Sequence, residues 1–185
     1  MGKFKNSKLK ITSLKITGCL KKSAFKINKM KPIFKLIISI AAPLIVGAGS
    51  AYFTYPAVKG WYNTIVKPSF NPPNYLFGPV WTTLYIMMGI ACFIIWKSKK
   101  NETIKKKALI FYAIQLALNF SWSMFFFYLQ NPAAAFVIII SMLIFIAIST
   151  FWFKKISPLA AWLLLPYICW VSFASVLNFE IWRLN

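Results

Sequence analysis

Gln115, Asn119 and Trp122 recur at steps of four and three, so on an α-helix they share one face. Trp81, Tyr85, Met88 and Cys92 make a second such face, and Tyr167, Trp170, Ala174 and Asn178 a third. These side chains offer ring faces and a few uncharged hydrogen-bonding groups. Three such faces could enclose a flat, aromatic-lined pocket that holds a planar ligand by stacking and asks for little charge. The plain alternative for each face is packing with ordinary interhelical hydrogen bonds. Trp and Tyr also serve as interfacial anchors. That role accounts for Trp96, Trp152 and Trp182 better than for Trp81, Trp122 and Trp170, each of which shares its face with a polar or small residue.

Other chemistry is poorly supplied. There is no His, the only acids are Glu102 and Glu180, and the only Arg is Arg183. General acid–base catalysis needs positioned titratable groups, and a protein-built metal site needs clustered His, Cys or carboxylates. Cys19, Cys92 and Cys169 are scattered, without metal-ligand or redox spacing. They read as packing cysteines. No catalytic residue, metal ligand or cofactor is expected, and binding is favoured over enzymatic turnover.

The elements that must position these faces are apolar rods. Of the 185 residues 59% are hydrophobic and 13% charged, against about 45–50% and about 25% in soluble domains. Five stretches reach the roughly 20 apolar residues that cross a bilayer: about 36–53, 75–96, 108–129, 133–153 and 159–182. The fold class is therefore all-α, a polytopic bundle of five transmembrane helices. The fourth stretch is apolar on every side and is expected to be the most lipid-exposed. Residues 54–74 hold four prolines and read as a long loop. Kinks are expected at Pro43 and Pro166, and close packing at Gly47 and Gly49. Ala113, Ala117 and Ser121 lie roughly opposite the Asn119 face, where small residues permit close approach of another helix or of a second copy in a homodimer.

Charge sets an orientation. The N-terminal side of a five-span chain carries 19 of the Lys, while the other side has only Lys59, Lys67 and Arg183. The positive-inside rule then puts the N-terminus in the cytoplasm. The Lys-rich, Arg-poor usage fits a bacterial cell membrane. Residues 1–32 are basic and acid-free and read as a disordered extension, ahead of a membrane domain over 33–185; a basic arm for anionic lipid is the alternative. An upstream start codon before Met30, or a signal peptide in the first span, are further readings of this region. No aromatic or arginine pattern points to nucleic acid.

The strings Lys67-Pro-Ser-Phe-Asn-Pro-Pro, Phe77-Gly-Pro-Val-Trp-Thr-Thr-Leu-Tyr85 and Met88-Gly-Ile-Ala91 closely resemble the translocator protein / tryptophan-rich sensory protein (TspO/MBR) family. So do Leu118-Asn-Phe-Ser-Trp-Ser123, Pro166-Tyr-Ile-Cys-Trp-Val-Ser-Phe-Ala174, Leu177-Asn178 and Ile181-Trp182. The resemblance implies a five-helix bundle, often dimeric, that binds porphyrins and other tetrapyrroles, with sterols and synthetic aromatics as ligands of some members. It implies a role as sensor, scavenger or transporter, with light-dependent porphyrin degradation or sterol-type transport as alternatives. By motif position, Trp81 and Tyr85 would line the pocket, and Asn119 and Trp122 would form its polar and aromatic wall. Trp170 and Ala174 would close it, with Trp61 and Tyr62 as lid. Two departures stand out. The cholesterol motif of mammalian-type members wants a Tyr where this chain reads Phe179-Glu180, and the absence of His excludes imidazole ligation of haem iron.

Overall fold

The computed structural model describes residues 30–185; the expected basic extension lies outside them up to residue 29. Their order is α1 (Pro32–Lys59), α2 (Trp61–Thr64), α3 (Asn74–Lys97), α4 (Glu102–Ser123) running on into a π-helical turn (Met124–Tyr128), α5 (Pro132–Ile156), α6 (Pro158–Trp162) and α7 (Leu165–Leu184). Five helical segments are long and apolar enough to cross a membrane, at 32–59, 74–97, 102–128, 132–156 and 158–184. The chain is an all-α, multi-pass integral membrane protein.

Helix ends follow local chemistry. Asn101 Oδ1 accepts from Thr103 N–H at 2.8 Å to start α4, and Asn131 Oδ1 accepts from Ala134 N–H at 3.0 Å to start α5 behind Pro132. Before it, Gln130 takes a left-handed backbone, φ 50°, to reverse the chain. Inside the spans, hydroxyls are turned back onto their own helix. Thr82, Ser141, Ser149 and Ser175 each donate to the carbonyl four residues earlier. That geometry removes a donor from hydrocarbon, where nothing else would receive it.

Three expectations are corrected. Residues 54–74 are not all loop: α1 runs through Pro56 to Lys59, and only Gly60 and 65–73 lack helix. Pro166 does not kink a continuous fifth span. The helix stops at Trp162, turns over Leu163-Leu164 and restarts with Pro166 in the first turn, where its missing N–H has no helical partner to lose. The fourth span is not the most lipid-exposed. α5 has the highest mean hydropathy, 2.7, yet 28% of its most apolar stretch is buried, against 17% for α1. Ile139, Met142, Ile146 and Phe153 are all buried, because α5 lies between α4 and α7. Hydropathy measures what lipid tolerates, and it does not say which rods lie at the edge.

α1 meets α3 closely at one point. A Cβ on Gly89 would stand 2.6 Å from Ile40 Cα and 2.8 Å from the Ser39 carbonyl oxygen, both backbone atoms. At Gly78, eleven residues earlier on α3, an added Cβ meets nothing within 4 Å. Gly89→Val is therefore expected to push α1 off α3 at a cost of about 1–3 kcal/mol, whereas Gly78→Ala costs nothing and gains up to about 1 kcal/mol of helix propensity. Thermal unfolding of the purified variants in detergent checks the pair, and equal melting temperatures would remove the Gly89 contact as a constraint.

Candidate ligand-binding site

Above that crossing the helices enclose a cavity of about 530 Å³, within the range of small-molecule sites. α1 lines it with a stripe at helical spacing: Leu44, Gly47, Ala51, Tyr55 and Val58. α3 contributes Phe77, Gly78, Trp81 and Tyr85; α4 and its π-turn contribute Trp122, Phe126 and Phe127; α7 contributes Trp170, Ala174, Leu177 and Asn178. No residue of α5 lines it. Tyr62, on the short α2, covers it from above and is 2% exposed. Between α1 and α3 the wall is thin, and Ala51, Tyr55, Gly78 and Thr82 are exposed as well as lining.

The rings form a connected arc. Trp81 stacks on Tyr85 at 5.6 Å between centroids and lies 6.4 Å from Trp122. Trp122 stacks on Phe126 at 5.5 Å. Trp170 packs against Phe77 at 6.2 Å and Phe173 at 5.7 Å. Gly47 makes room for this arc, since a Cβ there would lie 2.4 Å from the Tyr85 ring.

Behind the rings runs a chain of buried hydrogen bonds. Tyr85 hydroxyl donates to Asn119 Oδ1 at 2.7 Å; Asn119 Nδ2 donates to Tyr167 hydroxyl at 3.2 Å; Tyr167 hydroxyl donates to Gln115 Oε1 at 2.9 Å. A second set fixes Trp122, whose Nε1–H donates to Asn178 Oδ1 at 2.9 Å, while Asn178 Nδ2 donates to the Pro132 carbonyl at 2.8 Å. On α1, the buried Ser50 Oγ lines the cavity without a well-formed hydrogen bond, near enough to the Tyr85 hydroxyl to interact with it.

The loop over 65–73 is tied down on both sides. Tyr62 hydroxyl donates to Asn71 Oδ1 at 2.7 Å, and the Phe70 ring meets Phe173 of α7 at 6.3 Å. The Asn185 carboxamide pairs with both backbone groups of Val66, at 2.9 and 3.0 Å. Burial pushes the Tyr62 phenol up to about 12, so at ordinary pH it remains a neutral donor.

Of the residues expected from sequence, Tyr62, Trp81, Tyr85, Trp122, Trp170 and Ala174 line this cavity. Asn119 and Trp61 do not. Asn119 lies one layer back, bonded to Tyr85 and Tyr167, and Trp61 packs edge-on to Phe126 at 5.8 Å. The faces read from sequence include neither the α1 stripe nor Phe126-Phe127. Helical spacing marks the α1 stripe in retrospect. The π-turn has no such signal in Met124-Phe125-Phe126-Phe127-Tyr128, although its widened turn brings two adjacent Phe residues to the cavity.

Fold and site together define a helical multi-pass membrane protein with a loop-covered aromatic cavity. The chain belongs to the TspO/MBR family, whose profile matches residues 39–183. It is 46% identical to the "Tryptophan-rich protein TspO" of Chlorobaculum tepidum over 157 residues, 84% of this chain and 98% of that protein. It is 45% identical to the protein of the same description from Archaeoglobus fulgidus over 153 residues, 83% and 98% of the two chains. The "Translocator protein" of Homo sapiens is 39% identical over 128 residues, covering 68% of this chain and 75% of that one.

The layered arrangement separates stability from wall chemistry. Tyr85→Phe keeps the ring but leaves Asn119 Oδ1 without its donor, and Asn119→Ala removes both the acceptor of the Tyr85 hydroxyl and the donor to Tyr167, which keeps its own bond to Gln115. We expect these changes to cost about 1–3 kcal/mol, with Asn119→Ala the more severe. Melting curves of the two variants check this ranking, and an unshifted transition in both would show that the chain bears no load.

Proposed function

We propose that this protein binds tetrapyrroles of porphyrin type within the membrane and acts as a sensor, scavenger or transporter of such ligands. The observation that carries the reading is the continuous ring arc from Tyr85 through Trp81 and Trp122 to Phe126, facing Trp170 across a cavity of about 530 Å³. A flat conjugated macrocycle gains from stacking on such a surface and needs little hydrogen bonding. The names of its relatives, a translocator protein and a tryptophan-rich sensory protein, fit the transporter and sensor readings. Trp81→Ala and Trp170→Ala are each expected to weaken protoporphyrin binding in nanodiscs at least several-fold, read by fluorescence titration. Unchanged affinity in both variants would discard the site, including the roles given to Tyr62, Tyr85, Trp122 and Ala174.

Orientation and assembly belong to the same reading. The described inner-side loop and helix ends hold Lys97, Lys99, Lys100, Lys105, Lys106, Lys107, Lys154 and Lys155, which supports a cytoplasmic N-terminus in a bacterial cell membrane. Ala113 and Ala117 are exposed on the outer face of α4, and Ser121 beside them is spent on the Ala117 carbonyl, which supports a homodimer through this stripe. Introduced cysteines check both. From outside intact cells, an impermeant maleimide should reach Ser69→Cys and not Lys100→Cys, and Ala117→Cys should cross-link to a dimer. The reverse labelling pattern would invert the topology, and a monomer would remove the interface.

A further inference from the structure

The covered end of the cavity carries two lysines, and both are turned onto its wall. Lys59 Nζ lies 4.3 Å from the centroid of the Tyr55 ring, and Lys67 Nζ lies 4.9 Å from that of Tyr62. Tyr55 and Tyr62 both line the cavity. Neither ammonium has a carboxylate partner: among the described residues the ion pairs are Glu102–Lys105 and Glu180–Arg183. Glu180 is the one acidic side chain at this end of the bundle, and Arg183 Nε and Nη2 already hold it at 3.0 and 2.6 Å. Lys67 is also held in place by its neighbour, since Asn185 grips the Val66 backbone through two hydrogen bonds. Lys59 sits in the last turn of α1, one turn beyond Tyr55.

An ammonium resting on a tyrosine face is attracted to the ring and keeps its donors for whatever enters beside that ring. A neutral ligand would gain nothing from either lysine. A ligand with an ionised edge would supply a counter-charge to both ammonium groups, with less screening at the half-buried Lys67 than at the exposed Lys59. We propose that Lys59 and Lys67 form a cationic collar that selects, among planar hydrophobic ligands, those bearing carboxylates along one edge. The apolar plane stacks on Trp81 and Trp122 while the acidic edge meets the two ammonium groups. This rests on the cavity being a ligand site, and it adds a discrimination that aromatic walls alone do not make: diacid macrocycles over their esters and over neutral sterols.

The test titrates protoporphyrin and its dimethyl ester against the purified protein in non-ionic detergent, at low and at high salt. Each of Lys59→Gln and Lys67→Gln should weaken the diacid about three- to tenfold and leave the ester within twofold. Lys→Arg at either position should restore the preference, and salt should weaken only the diacid. The collar is overturned if the intact protein binds diacid and ester equally, or if the double Gln variant loses both ligands or neither, as lysines that only anchor to lipid phosphates would give. Failure of the underlying cavity reading looks different: there Trp81→Ala leaves the binding of both ligands unchanged.

Discussion

Hydrocarbon offers no hydrogen-bond partner, so a polar atom carried into it costs free energy unless the protein supplies one. That constraint explains the centre of this molecule. Gln115, Asn119, Tyr85 and Tyr167 come from three different spans, and each would be costly alone in lipid. Joined end to end they satisfy one another, with Gln115, Asn119 and Tyr167 almost wholly buried. The chain of bonds fixes which faces of α3, α4 and α7 turn inward. Once they do, Trp81 and Trp122 have no choice but to follow them, being one turn away on the same faces.

The cavity is a by-product of that locking together with uneven packing. α4, α5 and α7 pack as a tight group, while α1 is pinned to α3 at Gly89 and buries little else. Away from the pin, Gly78 leaves open the space that a larger side chain would fill, and Gly47 lets the Tyr85 ring close against α1. The aromatic arc covers the wall on one side, and the loop held by Asn71, Phe70 and Asn185 covers the end. A rigid wall facing a loosely held helix is an arrangement in which a ligand can be admitted without unfolding the bundle.

Much of this was legible in the sequence because helical periodicity assigns a residue to a face. The steps from Gln115 to Asn119 to Trp122 placed all three inward, and all three are buried. Periodicity does not assign depth. Asn119 and Trp81 lie on facing surfaces, yet only the ring reaches the cavity, because the amide is drawn back by two phenols. Hydropathy is silent on neighbours, which is why it points α5 toward the periphery. Pro56 reads as a helix breaker, yet α1 continues three residues past it to Lys59. The π-turn at Met124–Tyr128 had no sequence signature, since a run of aromatic residues fits either helix.

The most direct measurement is fluorine NMR on protein labelled with 5-fluorotryptophan, with each indole assigned by single Trp→Phe changes. A porphyrin seated in the cavity exerts a strong ring current on whatever indoles it stacks against. On adding protoporphyrin, the resonances of Trp81, Trp122 and Trp170 should shift, while those of Trp96, Trp152, Trp162 and Trp182 stay in place. Shifts confined to that second group, or no shift in the first, would contradict a ligand held between the helices.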